Sequence, residues 1–164
     1  MTHYELIATC SFGLESIVAE ELRSLGFQDL IIENGRVTFK GKEKDIARCN
    51  ICLRTADRVL IKMAEFKATD FDELFQGTAN VIWENIIPIN GKMHVTGKSV
   101  RSKLASIRDC QSIVKKSIIK AMNRKYHLVQ FPETGPLYKI EISLLKDTAT
   151  ITIDTTGHGL HKRG

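Results

Sequence analysis

Four cysteines are the residues of this 164-residue chain best suited to chemistry, and two of them form the spacing Cys49-x-x-Cys52. A redox-active pair of this kind sits at a helix N-terminus, where the helix dipole lowers the pKa of a thiol. Here the pair falls well inside a helix predicted over residues 43–54, and no second Cys-x-x-Cys supplies the other ligands of a zinc site. We therefore interpret the pair as buried packing, and the isolated Cys10 and Cys110 as core residues.

Two histidines, His158 and His161, lie close together in the stretch GHGLHKRG. No neighbouring carboxylate or cysteine would orient them for acid–base catalysis or metal binding. The chain also lacks a Gly-x-Gly-x-x-Gly loop, a P-loop and an Asn/Asp-Pro-Pro-aromatic tetrapeptide. We expect no catalytic, cofactor-binding or metal-binding residues here, and we predict that the chain acts by binding. Lys162 and Arg163 beside the histidines could contact phosphate.

Positive charge is the feature that a binding function explains best. Residues 92–125 contain ten Lys and Arg against one acid, Asp109, whereas the net charge is −4 over residues 1–91 and zero over residues 126–164. One basic segment in a nearly balanced chain indicates a polyanionic partner. A face kept for solubility and an anionic membrane surface are the alternatives. A solubility face normally mixes both signs, so nucleic acid is favoured.

The basic segment contains the clearest predicted helix, over residues 110–124. Its apolar face runs through Cys110, Ile113, Val114, Ser117, Ile118, Ala121 and Met122. Lys116, Lys120 and Arg124 form a second stripe that we expect to face solvent, and no acid four residues away neutralises it. Because residues 92–125 contain no aromatic side chain, contact with phosphates is favoured over stacking on bases. The predicted RNA-binding residues are Lys98, Arg101, Lys103, Arg108, Lys115, Lys116, Lys120, Arg124 and Lys125.

The elements that position these residues follow from hydrophobic periodicity. Residues 1–66 predict the order strand, helix, strand, strand, helix, strand, which is the ferredoxin-like split βαβ arrangement. Asn34-Gly35 predicts a hairpin with a type I′ turn, and Gly26 predicts the end of the first helix. The second helix is expected to pack through Ile46, Ala47, Ile51 and Leu53.

A second α/β region follows residue 66. Thr69 and Asp72 predict a capping box, and the helix after it is expected to have Phe71, Leu74, Phe75 and Ile82 on one face. The stretch KMHVTGKS alternates as a strand does and precedes the basic helix. YKIEISLLKDTATITID predicts two strands joined near Lys146-Asp147, with alternating apolar residues from Tyr138 onward.

The N-terminus shows no sign of a secretory signal, since MTHYELIATC lacks a basic head and a continuous apolar run. No apolar run approaches the roughly 20 residues needed to cross a bilayer. Cysteines without a secretory signal favour reduced thiols, so we expect a cytoplasmic protein with no membrane partner.

Five stretches in order resemble the N-terminal region of the THUMP-domain class I RNA methyltransferases, which depend on S-adenosylmethionine. They are ATCSFGLESIVAEELRSLG, LRTADRVLIKMAEF, FDELFQGTANVIWENII, DCQSIVKKSIIKAM and DTTGHGLHKRG. The resemblance implies an α+β chain that binds RNA. Its parts would be a ferredoxin-like βαββαβ domain at 1–66, a THUMP domain at 67–156 and the start of a linker at 157–164.

The resemblance also implies an enzyme at the level of the parent protein. A methyltransferase domain would follow the linker and use S-adenosylmethionine to methylate the exocyclic N2 amine of a guanine, while the THUMP region anchors ribosomal RNA. The cofactor glycines and the Asn/Asp-Pro-Pro motif of that domain are absent, so the chain is expected to be a fragment or a truncated product. Three alternatives stay open: a guanine-N2 methyltransferase that binds the acceptor end of transfer RNA, a thiouridine synthetase, and a free-standing RNA-binding protein.

Overall fold

The computed structural model describes residues 3–127 and 131–155, and these form two compact units. Within them, one unit contains the residues up to Lys62 together with Asp154 and Thr155, and the other contains Met63–Ile153. The elements of the described residues are, in chain order, β1 Tyr4–Thr9, α1 Glu15–Ser24, β2 Ile31–Glu33, β3 Arg36–Gly41, α2 Glu43–Cys52, β4 Arg58–Lys67, α3 Phe71–Ala79, a 3-10 helix Trp83–Asn85, β5 Lys92–Val100, α4 Ile107–Tyr126, β6 Leu137–Leu145 and β7 Thr148–Asp154.

The first unit has the predicted βαββαβ order, and its strands lie in the order β2-β3-β1-β4. β1 pairs antiparallel with both β3 and β4, so that Leu6 lies opposite Phe39 on one side and Ile61 on the other. All three side chains are buried. The two helices complete this core through Val18, Ala19, Leu22, Ile46 and Cys49. The predicted α+β fold class is confirmed.

The predicted β2–β3 hairpin is present, but its turn is not of the predicted type. Glu33 pairs with Arg36, which leaves Asn34 and Gly35 as the two loop residues. Gly35 has a φ of +76° and Asn34 has a negative φ, whereas a type I′ turn requires positive φ at both positions. The Glu15 carboxylate fixes this turn by accepting the Gly35 N–H at 2.7 Å, and that bond lowers the pKa of Glu15.

The second unit has the strand order β4-β7-β6-β5. β6 and β7 form the predicted antiparallel hairpin, and β5 runs parallel to β6 from Lys92 opposite Leu137 to Val100 opposite Leu145. The alternating apolar face predicted for the hairpin is confirmed, because its seven residues are buried: Tyr138, Ile140, Ile142, Leu144, Ala149, Ile151 and Ile153.

Lys146 and Asp147 form the turn of this hairpin and have φ values of +50° and +66°. Since Leu145 pairs with Thr148, these are two loop residues that both have positive φ. That combination is typical of a type I′ turn. The type I′ geometry predicted for Asn34-Gly35 therefore occurs at a different hairpin of the chain.

The start of α3 differs from the prediction by one residue. Asp70 is the N-cap, and its side chain accepts the Glu73 N–H at 2.8 Å. The Glu73 carboxylate in turn accepts the Thr69 N–H at 2.7 Å and lies 2.8 Å from the Thr69 hydroxyl, which donates to it. Asp70 thus caps the helix and Glu73 binds back to Thr69, and the predicted capping box of Thr69 with Asp72 is wrong. An aspartate accepts from the free N–H groups at least as well as a threonine does.

Three apolar residues predicted to face a helix core are exposed: Ile51, Phe71 and Ile82. Ile82 lies beyond the end of α3, and the core positions of α2 are Ile46 and Cys49, which leaves Ile51 on the outer side. Periodicity found the helices correctly, but it assigned these residues to the wrong faces.

The described residues contain no helix that combines the length and the apolar composition required to cross a bilayer.

Candidate nucleic-acid interface

Helix α4 carries most of the predicted RNA-binding residues and is firmly fixed in the second unit. Its six buried residues are Cys110, Val114, Ser117, Ile118, Ala121 and Met122. The Ser117 hydroxyl also donates a 2.6 Å hydrogen bond to the Phe75 carbonyl of the neighbouring α3. The helix ends where His127 takes a left-handed conformation and donates its N–H to the Asn123 carbonyl. The backbone that carries the cations on the outer faces of α4 is therefore held in a defined position.

A groove of about 430 Å³ lies between α4 and the strand β5. The strand contributes Met93, His94 and Val95, and the helix contributes Arg108, Gln111, Ser112, Lys115, Lys116 and Ile119. The groove thus combines cations, hydrogen-bonding side chains and a small apolar surface. Such a mixture suits a nucleotide, whose phosphate, ribose and base need all three.

The charges in the groove are only partly neutralised. Lys115 Nζ lies 3.5 Å from Glu133 Oε2, and the same oxygen accepts the Met93 N–H at 2.9 Å. Arg108 and Lys116 form no ion pair with any residue that the structure describes. The open positive charge of the groove is therefore carried by these two residues, with Lys115 held by an internal carboxylate.

Arg124 does not extend this open charge along the helix. Its guanidinium donates to the carbonyls of Ala79 and Val81 at 2.8 Å each, and to the Glu84 carboxylate at 3.0 and 3.2 Å. The hydrogen bond from Arg124 lowers the pKa of Glu84. No acid lies four residues from Arg124 along the chain, yet the fold neutralises it with Glu84, which comes from a segment 40 residues away.

Lys120 and Lys125 have aromatic neighbours that do not cancel their charge. The Lys120 ammonium lies 5.4 Å from the centre of the Phe75 ring, and that of Lys125 lies 5.3 Å from the Tyr126 ring. Cation–π contacts of this length orient an ammonium group and leave its positive charge available. Of the predicted stripe, only Lys116 lines the groove.

The remaining predicted residues, Lys98, Arg101 and Lys103, are exposed but do not line the groove. Lys98 belongs to β5, and the other two lie in the loop before α4. The sequence interpretation missed His94, Gln111 and Ser112 as groove residues. His94 lies in the strand and could have been found only by knowing that β5 borders α4.

Three of the four cysteines have the environments of structural thiols. Cys10, Cys49 and Cys110 are buried, as predicted, whereas Cys52 is exposed and that part of the prediction is wrong. Burial, together with the nearby Asp45 carboxylate, raises the pKa of Cys49 to about 12. This thiol therefore stays protonated at neutral pH and is a poor nucleophile. His158, His161, Lys162 and Arg163 lie outside the described residues.

The described residues form an α+β fold with a basic groove, and comparison with known families gives the class of the chain. The family described as the RlmL ferredoxin-like domain matches residues 5–60, and the family described as the THUMP domain matches residues 68–154. The chain belongs to the THUMP-domain family. The resemblance to the N-terminal region of the THUMP-domain RNA methyltransferases is confirmed.

Two curated relatives match nearly the whole chain. YpsC of Bacillus subtilis (strain 168), which is named as an RNA methyltransferase, is 51% identical over 100% of this chain and 43% of its own length. The ribosomal RNA large subunit methyltransferase K/L of Syntrophotalea carbinolica is 29% identical over 98% of this chain and 23% of its own length. The chain thus spans less than half of either relative.

Two solved structures have the same fold. One, from Listeria monocytogenes str. 4b F2365 and named as an N6-adenine-specific DNA methylase, is 50% identical with a TM-score of 0.92 and covers 100% of this chain and 43% of its own. The other, SMU.472, is named as a methyltransferase complexed with SAH. It is 46% identical with a TM-score of 0.90, and covers 94% of this chain and 42% of its own.

Proposed function

We propose that this chain is the RNA-binding region of an S-adenosylmethionine-dependent methyltransferase that modifies a guanine N2 amine in large-subunit ribosomal RNA. The observation that carries the proposal is the groove between β5 and α4, with its open charges on Arg108 and Lys116. The names of two relatives, an RNA methyltransferase and a ribosomal RNA large subunit methyltransferase, support methylation and a ribosomal RNA substrate, and the guanine N2 amine follows from the family resemblance.

The binding step would rest on the RNA backbone. Each cation that meets a phosphate releases condensed counterions, so affinity falls steeply as salt increases. Such contacts fix position and register but do not read base identity. The chain would therefore hold the RNA while the target base is presented to another domain.

The chemical step would lie in a methyltransferase domain joined to this region in the parent protein. The relative SMU.472 is complexed with SAH by its name, which supports S-adenosylmethionine as the methyl donor. A base must leave its stack before an enzyme can methylate it, and a firmly anchored backbone makes that movement local. We also propose a ferredoxin-like domain at residues 1–66, a THUMP domain at 67–156, the start of a linker at 157–164 and a cytoplasmic location.

Transfer RNA and DNA are the other substrates to be tested. Transfer RNA was an open alternative from the sequence, and the Listeria relative is named as a DNA methylase. The THUMP domain favours RNA over DNA.

A fluorescence-anisotropy titration of the full chain at two salt concentrations tests the proposal. The ligands are a large-subunit ribosomal RNA hairpin, a transfer RNA, the same transfer RNA without its 3′ end, and a DNA duplex. We expect the ribosomal hairpin to bind tightest, with affinity falling as salt rises. Loss of binding on trimming the 3′ end would favour transfer RNA instead, and preference for the duplex would contradict an RNA function.

The variant Arg108→Gln/Lys116→Gln identifies the surface used. We expect its RNA affinity to fall about tenfold and its salt slope to flatten by about 2. Lys40→Gln/Lys44→Gln is the matched control, since it removes two exposed cations from the first unit. Equal affinity of the two variants would exclude the groove as the binding surface.

A further inference from the structure

Two turns meet at one end of the second unit and form a surface separate from the groove. The Lys146 N–H donates to the Val100 carbonyl at 3.0 Å, and the Asp147 N–H donates to the Ser102 hydroxyl at 3.0 Å. The Asp147 carboxylate accepts the Lys103 N–H at 2.8 Å. These bonds connect the loop before α4 to the β6–β7 turn, which lies about 45 residues later in the chain.

Three exposed cations lie on these joined turns: Arg101, Lys103 and Lys146. None of them forms an ion pair within residues 3–127 and 131–155. Asp147 is the acid among them, and its Oδ1 is engaged by a backbone N–H. We call the two joined turns, with these three cations and Asp147, the basic turn pair.

Two of the cations lie at positions where the backbone has an unfavourable conformation for a long side chain. Arg101 has a φ of +51° and Lys146 a φ of +50°, in the left-handed region that glycine and asparagine occupy more easily. Arginine and lysine are less stable in this backbone conformation than glycine or asparagine. Lys146 and Asp147 take their positive φ angles as the two loop residues of a type I′ turn. Arg101 is the cation whose left-handed backbone no hairpin turn requires, and residues held in unfavourable conformations cluster at functional sites.

We propose that the basic turn pair is a second phosphate-binding site for RNA, in which Asp147 positions the three cations. The proposal rests on the proposed function, because it requires that the chain bind RNA. Exposed ammonium and guanidinium groups on two turns contact backbone phosphates and carry no base-reading geometry. With this site the chain would hold a longer stretch of RNA than the groove alone could hold.

The expected effect of removing the Asp147 carboxylate on RNA affinity is opposite to what its charge alone predicts. Its carboxylate is negative and lies among cations, so simple charge counting predicts that removing it strengthens RNA binding. If the carboxylate instead holds the loop in place, loss of its acceptor atom should weaken binding even though the net charge of the chain becomes more positive. The two explanations are therefore separable by experiment.

The first experiment compares Arg101→Asn/Lys146→Asn with Lys40→Asn/Lys44→Asn, measured against a ribosomal RNA hairpin and a transfer RNA. Asparagine accepts the left-handed backbone, so the first variant should keep or raise the thermal midpoint. We expect its RNA affinity to fall about tenfold at 0.1 M salt and its salt slope to flatten by about 2. The control pair should change affinity by about twofold at most. Equal effects of the two variants would overturn the proposal.

The second experiment compares Asp147→Asn with Asp147→Gly, both of which tolerate the φ of +66° at this position. Asparagine keeps the acceptor oxygen and loses the charge, so RNA should bind as tightly as to the native chain or more tightly. Glycine loses both, and we expect affinity to fall several-fold. If Asp147→Gly binds as tightly as Asp147→Asn, Asp147 does not position the cations and the proposal is wrong.

The pattern of results separates this proposal from the proposed function. If the native chain binds no RNA, both fail. If Arg108→Gln/Lys116→Gln weakens binding while Arg101→Asn/Lys146→Asn behaves as its control does, the groove binds RNA and only the basic turn pair is excluded.

Discussion

The two halves of α4 carry the same kind of charge but have different neighbours. In the first half, called the open end below, Arg108 and Lys116 border a groove and have no ion-pair partner within the described residues. In the second half, called the structural end below, Arg124 binds Glu84 and the carbonyls of Ala79 and Val81. The difference shows that cations of one helix stay open where the fold brings no acid to them and become part of the structure where it does.

The largest expected effect comes from removing the support that both ends of the helix share. Ile118 is fully buried, so Ile118→Asp would place a charge in the core and cost more than about 4 kcal/mol of unfolding free energy. Thermal unfolding should show loss of the second unit. Ile51→Asp is the control, because Ile51 is 81% exposed and its replacement should change little. A native thermal transition for Ile118→Asp would mean that the faces of α4 are wrongly assigned.

Arg124→Gln tests the structural end directly. It leaves Glu84 without its partner and removes the Arg124 donors from the carbonyls of Ala79 and Val81, of which Val81 keeps the Trp83 N–H. We expect a loss of about 1–2 kcal/mol of stability in denaturant unfolding. Lys116→Gln, at the open end, should stay within about 0.5 kcal/mol of the native value. RNA affinity should respond in the opposite order. If Arg124→Gln instead lowered RNA affinity more than Lys116→Gln did, without loss of stability, Arg124 would be a binding residue and its structural role would be contradicted.

The pH dependence of stability sharpens the same contrast. Because Arg124 lowers the pKa of Glu84 in the folded state, the stabilisation is complete above the unfolded pKa of about 4.3 and disappears as pH falls through the folded value. The stability difference between the native chain and Arg124→Gln should be constant near neutral pH and shrink below about pH 4.3. Denaturant unfolding at a series of pH values measures it. A difference that persists at low pH would assign the effect to the carbonyls alone.

Glu133→Gln should produce the smallest effect, at the open end. Glutamine still accepts the Met93 N–H but no longer neutralises Lys115, so RNA should bind about two- to threefold more tightly with a steeper salt slope. Asp72→Asn is the control, since it removes an exposed charge from α3 in the same unit. If both variants gain equally in anisotropy titrations, net charge rather than the released Lys115 is responsible.

Some features of the candidate site could be predicted from the sequence because they depend on neighbours in the chain. The helical spacing from Cys110 to Met122 identified the buried face of α4, and the ten cations in residues 92–125 identified the segment that carries the positive charge. Other features depend on segments that meet only in the fold. Glu84 is 40 residues from Arg124, and His94 is 14 residues from the start of the groove-lining part of α4 at Arg108.

A type I′ turn could be predicted from the sequence, but the hairpin at which it occurs could not. Asn34-Gly35 favoured a type I′ turn, yet the Glu15 carboxylate holds the Gly35 N–H and Asn34 keeps a negative φ. Lys146-Asp147 lacks the usual residues for that turn and adopts its positive φ angles, where Asp147 is hydrogen bonded to the loop before α4. Tertiary hydrogen bonds thus outweighed local preference at both hairpins.

By itself, the sequence determined the order of helices and strands, the buried faces of α4 and of the β6–β7 hairpin, and the segment that carries the positive charge. These follow from periodicity and composition, which act over a few residues. Only the tertiary structure decided which cations stay open, which one is neutralised by Glu84, and that Asp147 joins two basic turns. The physical reason is that ion pairs and hydrogen bonds form between atoms close in space, and the fold sets those distances.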